Sequence, residues 1–104
     1  MLFLHVIKHT AAECLTHNET VRKVTFEAFS QIEELTKKHG IKIVGSWQVH
    51  AKHFNVTVYD APNFEALLAY SLEPAIAKMM GFYTSDLWVA EAMPDVMQRL
   101  MQAQ

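Results

Sequence analysis

Residues 41–59 read IKIVGSWQVHAKHFNVTVY, two runs of alternating side chains, Ile41 to His50 and His53 to Tyr59, on either side of Ala51-Lys52. Both runs are rich in β-branched and aromatic residues, and they alternate with the period of two that a pleated strand imposes. The expected structure is an antiparallel hairpin with a two-residue turn at Ala51-Lys52. In that register His50 faces His53, Gln48 faces Asn55 and Ser46 faces Thr57, all on one face, with Val44 and Tyr59 at its far end. Trp47, Val49, Phe54, Val56 and Val58 share the other face. The second set is the more apolar, so it is expected to be the core face that helices cover.

Outward from the hairpin, Leu2 to His9 is a short apolar run bounded by the polar stretch Thr10 to Asn18, and it reads as a strand buried on both faces. A helix follows. Thr16-x-x-Glu19 has capping-box spacing, Asn18 is a rival cap, and Lys37-Lys38-His39-Gly40 supplies a basic last turn and a glycine stop. Val21, Val24, Ala28, Ile32 and Leu35 step by three and four with Phe29 beside them, which gives the helix one apolar side. After the hairpin, Asp60-Ala61-Pro62 starts a second helix, with Pro62 in its first turn and Phe64, Leu67, Leu68 and Leu72 on its buried side. Pro74 breaks or restarts that helix, and Gly81 closes the continuation. Phe82 to Glu91 is a fourth strand, and Met93-Pro94 introduces a terminal helix carrying Val96, Met97, Leu100 and Met101. The order is βαββαβ plus a tail helix. This is the α+β, ferredoxin-like plan, a four-stranded antiparallel sheet with two helices on one face.

A chain of 104 residues is read as one domain, 1–104, large enough to bury a core unaided. Its hydrophobic fraction of 51% against 19% charged is rich for a small monomer and fits a homo-oligomer. With a net charge of -2 there is no basic excess to hold a phosphate backbone, which argues against nucleic acid. The apolar runs fall well short of the ~20 residues that span a bilayer, and the opening residues lack a basic leader, so a cytoplasmic protein without a membrane partner is expected. One cysteine cannot form an internal disulfide, in keeping with a reducing compartment.

The Met1-Leu2-Phe3 opening strand, Gly45-Ser46-Trp47 in the second strand, Asp60-Ala61-Pro62 before the second helix and the order of elements together give the chain its family likeness. It resembles the dimeric α/β-barrel superfamily, among its small uncharacterised members. That resemblance implies a homodimer in which two sheets pack face to face and enclose a cavity in each protomer. The superfamily includes monooxygenases, isomerases, haem enzymes and metal binders, so the resemblance implies a fold and an assembly rather than a reaction.

Five of the six histidines fall into two groups, His5, His9 and His17 around Cys14, and His50 with His53. In the ferredoxin-like plan the first and third strands are antiparallel neighbours, and aligning their middles puts His9 near His53 and His5 near Thr57. His9, His53 and His50 then lie across three strands, on the face opposite the helices. Adjacent strands are ~4.8 Å apart, so neighbouring imidazoles can share a metal at ~2.0–2.1 Å from each nitrogen. The expectation is a mononuclear site for zinc, nickel, copper or iron on His9, His50 and His53, with Cys14 or His17 as a further ligand. Against it stands the plainer reading of solvated strand-end histidines and a small buried cysteine. His5 would lie ~13 Å deeper at ~3.3 Å per residue, where it joins Gln48, Asn55, Thr57 and Tyr59 as candidates to orient a small ligand. A rival function is a cofactor-independent monooxygenase or isomerase with His5, His50 or His53 as general base, and a third is a non-catalytic ligand-binding module. Asp86 and Glu91 read as rim charges, and Met79, Met80, Met97 and Met101 as packing or dimer contacts.

Overall fold

A computed structural model describes residues 1–103 of the chain. The strands are β1 (Leu2–Lys8), β2 (Lys42–Val49), β3 (Phe54–Asp60) and β4 (Thr84–Ala90), and the helices are α1 (Glu19–Lys38), α2 (Phe64–Ser71), α3 (Pro74–Met80) and α4 (Met93–Gln102). The sheet is antiparallel throughout, in the order β2-β3-β1-β4. Four antiparallel strands with helices packed on them make an α+β fold consistent with the ferredoxin-like plan.

The punctuation of α1 works through Asn18, not Thr16. The Asn18 side chain accepts from the Val21 amide at 3.1 Å, while the Thr16 hydroxyl turns back to Cys14 Sγ at 3.0 Å. At the other end Gly40 takes φ 69°, where a side chain is strained. The Gly40 amide donates to the Lys37 carbonyl at 3.1 Å and the Ile41 amide to Thr36 at 2.8 Å, which closes the helix with paired carbonyls and drops Ile41 into the core. In the second helical region Asn63 is the cap, bonded to the Ala66 amide at 2.8 Å, so Pro62 lies before the helix and not in its first turn. Pro74 restarts the chain as α3, where its missing N–H costs no helical bond. Glu73 at that junction binds both Lys38 Nζ at 2.7 Å and His39 Nε2 at 2.8 Å, and these two groups hold its carboxyl below the usual carboxylate range.

Pairing in the sheet follows the alternation of the sequence, including Ser46 with Thr57, Gln48 with Asn55 and His5 with Thr57. Two details differ. The hairpin does not turn on two residues: a 3-10 turn over His50–Lys52 and a left-handed His53 (φ 52°) form a four-residue loop, and the last strand pair is Val49 with Phe54. A bulge between Ile43 and Gly45 also removes Val44 from the ladder, so that Ile43, and not Val44, stands opposite Tyr59.

The larger correction concerns the faces. The helices cover the polar set, not the apolar one. Phe3 and Tyr59 are buried with Ala28, Leu67, Tyr70, Ile76 and Met79 from the helices, and Ile43 and Leu87 pack on the same cluster. Thr57 is buried, whereas Trp47 on the other face is 57% exposed and Trp88 51%. The open face therefore carries Trp47, Val56 and Val58 beside Leu4, Val6 and Trp88. Alternation divides a strand into two sets without saying which set a helix will cover. Here Thr57 tolerates burial because it is hydrogen-bonded to Asn55 and Ser46, while Ser46 and Gln48 on the edge strand stay exposed. Among the described residues every buried side-chain nitrogen and oxygen has a partner.

Candidate metal centre and cavity

His9 follows the last residue of β1, and His53 directly precedes β3, so the pairing of these two strands sets the two histidines opposite one another. The His9 amide donates to the His53 carbonyl at 3.1 Å, and the imidazoles meet through His9 Nε2 and His53 Nδ1 at 3.3 Å. Left-handed backbone at His53 turns its side chain toward His9. A non-glycine residue at positive φ is uncommon, though histidine is among those enriched there. Cys14 enters from the loop after β1, where Thr10 caps a 3-10 turn over Ala11–Glu13 and the Cys14 amide closes it on the Ala11 carbonyl at 3.3 Å. One ligand atom from each of His9, Cys14 and His53 lies within 4.8 Å of the other two.

Of the five side chains that the sequence nominated as metal ligands, these three come together and two do not. His50 is exposed in the hairpin turn; only its carbonyl approaches His53, accepting from the His53 amide at 3.3 Å. His17 is exposed and its Nε2 is occupied by the Ala11 carbonyl at 2.5 Å. The group also lies on the helix-covered side, the reverse of its expected position, because His9 shares its strand face with His5 and Ile7 and lines the cavity there.

The nitrogen pair has the separation that tetrahedral zinc asks of two ligands, roughly 3.3 Å for bonds of ~2.0–2.1 Å. Without an ion the same pair is an N–H···N hydrogen bond, which requires at least one neutral ring. Burial, the neighbouring His53 and, more weakly, His17 lower the pKa of His9, while Glu13 partly opposes them. A neutral imidazole is the form that binds metal.

Behind His9 a cavity of about 680 Å³ runs between sheet and helices. Its floor is the polar face of the sheet. Ser46 and Thr57 hydroxyls are 2.8 Å apart, Thr57 donates to Asn55 Oδ1 at 2.7 Å, and Asn55 Nδ2 donates to Ser46 at 3.1 Å. His5 Nδ1 lies 3.4 Å from Tyr59 Oη. Burial lowers the His5 pKa and pushes Tyr59 up to about 12, so at neutral pH both are uncharged. The helices contribute apolar walls, among them Ile32, Leu67, Ile76 and Met79, and Phe29, Phe64 and Leu68 stand at least partly exposed along the lining. All five cavity residues nominated from the sequence, His5, Gln48, Asn55, Thr57 and Tyr59, line this space. Thr25 and Tyr83, joined at 3.1 Å, line it too and were not nominated. Thr25 lies within the Val21–Ala28 stripe of α1, so helical periodicity was the signal available for it.

No family model matches the chain, and no curated protein matches it in sequence. Among solved structures it is similar to the crystal structure of an uncharacterized NIPSNAP domain protein from Burkholderia xenovorans, with 12% identity and a TM-score of 0.51 over 88% of this chain and 96% of that one. At that identity the likeness is one of fold, and it agrees with the ferredoxin-like α+β plan read from the strands.

Proposed function

We propose that the protein is a small homodimer of the dimeric α/β-barrel type that binds one transition metal ion per chain through His9, Cys14 and His53. The observation that carries this reading is the convergence of two imidazoles and a thiol, one ligand atom of each within 4.8 Å of the others. Two nitrogens and one sulfur suit zinc, copper, nickel or iron better than magnesium or calcium. Three protein ligands leave a coordination position for water or a small molecule, the arrangement of catalytic rather than structural zinc sites. Metal analysis of untagged protein tests it. About one equivalent is expected, lost in His9→Ala and His53→Ala and kept in His50→Ala. Substoichiometric metal that added zinc, nickel, copper or iron does not restore, with no change in His53→Ala, overturns it.

The homodimer is supported by what the fold leaves open. The sheet face bearing Trp47 and Trp88 is largely apolar, with Asp86 opposite Val6 as the charge within it, and α4 has no buried residue, with Met93, Met97, Leu100 and Met101 all exposed. Strands of seven or eight residues make a flat face of roughly 23 by 19 Å, about 440 Å² per protomer. Two such faces fall short of the ~1,200–2,000 Å² of a stable interface, so the apolar side of α4 belongs to it as well.

A second reading rests on His5. It is a half-buried, neutral imidazole beside the Tyr59 hydroxyl in a largely apolar cavity, the setting of a general base for cofactor-independent monooxygenase or isomerase chemistry. Turnover that survives metal removal and His53→Ala but not His5→Gln would favour it.

A further inference from the structure

We infer that α4 is an exchanged arm: in the homodimer it crosses to the second copy and seats Met93, Met97, Leu100 and Met101 on the partner's Phe29, the partner's Phe64, the partner's Leu68 and the partner's Leu72. The inference rests on the homodimer of the proposed function and adds where its last helix goes. It is independent of the metal.

The arm has no seat on its own chain. None of the ten residues of α4 is buried, only Val96 is partly covered, and the helix has no extensive packing with any strand or other helix. Isolated helices shorter than ~12–15 residues are marginal in water, so the helical state of α4 draws on a surface outside the chain. Met93, Met97, Leu100 and Met101, half or more exposed, fall within an arc of roughly 100°, the width of a stripe that packs on another element.

A surface of the same size lies open on the helical side. In α2, Leu67 and Tyr70 turn into the core, while Phe64, Leu68 and the capping Leu72 form an exposed line at steps of four, with the exposed Phe29 of α1 beside them. At 1.5 Å per residue, Phe64 to Leu72 and Met93 to Met101 both run about 12 Å. Each line is a ridge of the i±4 kind, and two such ridges interdigitate in the commonest class of helix packing. Unbranched methionines adapt to the phenyl rings they would meet.

The topology directs the arm to the partner. α4 starts two residues after Ala90, and the paired contacts of Arg99 with Glu91 hold its second half to the end of β4. The groove opens beside Ser46 and Gln48 on β2, the opposite edge of the sheet. Two sheets facing each other about a two-fold axis along the strands set β4 of one protomer over β2 of its partner, so each arm arrives where the other groove opens. The area also closes. A ten-residue helix about 15 Å long and ~10 Å across covers roughly 150 Å² on each side of its contact. Two arms added to the two sheet faces bring the interface to about 1,500 Å², within the ~1,200–2,000 Å² of stable assemblies. Because Phe29, Phe64 and Leu68 also line the cavity, each cavity is closed on that side only in the dimer.

The test uses the full wild-type chain. In dimers mixed from chains with 13C-labelled methionine and unlabelled chains, isotope-filtered NOE spectra are expected to connect the Met93, Met97 and Met101 methyls with the partner's Phe29, the partner's Phe64 and the partner's Leu68. By analytical ultracentrifugation Leu68→Glu is expected to weaken the dimer at least about tenfold, because the two-fold axis repeats the lost contact, while thermal melts show that the exposed site leaves the fold intact. A wild-type dimer whose methionine methyls reach only Trp47 and Trp88, or only their own chain, overturns the exchange and leaves the dimer standing, as does a dimer that Leu68→Glu does not weaken. A monomeric wild type overturns the homodimer itself and the exchange with it.

Discussion

His5 and His9 lie four residues apart on one strand face, yet their surroundings give them different work. His9 meets another imidazole and a thiol, whereas His5 meets a phenol and the cavity. For His5 the consequence is a pH dependence of stability. Burial lowers its pKa in the folded state below 6.5, so the unfolded chain takes up the proton first as pH falls. Its contribution is fully present above pH 6.5 and is lost as pH drops through that value toward the folded pKa. Urea melts of metal-free protein between pH 7.5 and 5 are expected to show falling stability, and His5→Gln is expected to flatten the slope. An NMR titration midpoint for His5 at or above 6.5 would contradict this. Gly45 supports a second residue-scale prediction. A Cβ there would lie 2.3 Å from the Trp47 ring, which the glycine allows to lie along the strand. Because that indole is mostly exposed and can swing away, Gly45→Ala should shift tryptophan fluorescence while costing less than about 1 kcal/mol in denaturant melts, below the usual range for overpacking a closed core.

At the scale of elements, the helix signals were local and therefore legible. Asn18, Gly40, Pro74 and Gly81 each act on backbone groups within a few residues, so the sequence around them carries what is needed. Choosing between Thr16 and Asn18 turned on a contact just as local, since the Thr16 hydroxyl is diverted by Cys14 two residues before it. Asn18→Ala is expected to cost about 1 kcal/mol by chemical denaturation. Gly40→Ala should cost a similar amount, about 1 kcal/mol, because alanine is strained at φ 69°. The hairpin shows where element-scale reading ended. Its pairing followed from alternation, but the turn took two more residues than expected, and that difference took His50 out of the candidate metal site while turning His53 into it.

For the whole molecule, the Cα radius of gyration of 15.6 Å exceeds the roughly 13 Å of a compact domain of about 100 residues, and α4 is tied back by an ion pair of Arg99 with Glu91. Such a shape, with an apolar sheet face and an apolar helix face both open, is the form expected of half a dimer. Analytical ultracentrifugation should therefore find a dimer, and Leu100→Glu with Met97→Glu should shift it toward monomer; a monomeric wild type at micromolar concentration would rule the assembly out. The sequence by itself determined the helices and the hairpin, because caps, proline and glycine stops and period-two alternation act over short distances, whereas setting β1 beside β3, and so His9 against His53, took the ferredoxin-like plan as well. Only the tertiary structure decided which face of the sheet the helices cover, and with it that His5, His9 and the hydroxyl cluster border one cavity. Alternation is symmetric between the two faces, and hydropathy breaks the tie correctly only when one face is left to water. In this protein the more apolar face is the one left open, with Trp47 and Trp88 about half exposed, while on the helix-covered face Thr57 is buried through its hydrogen bonds with Asn55 and Ser46.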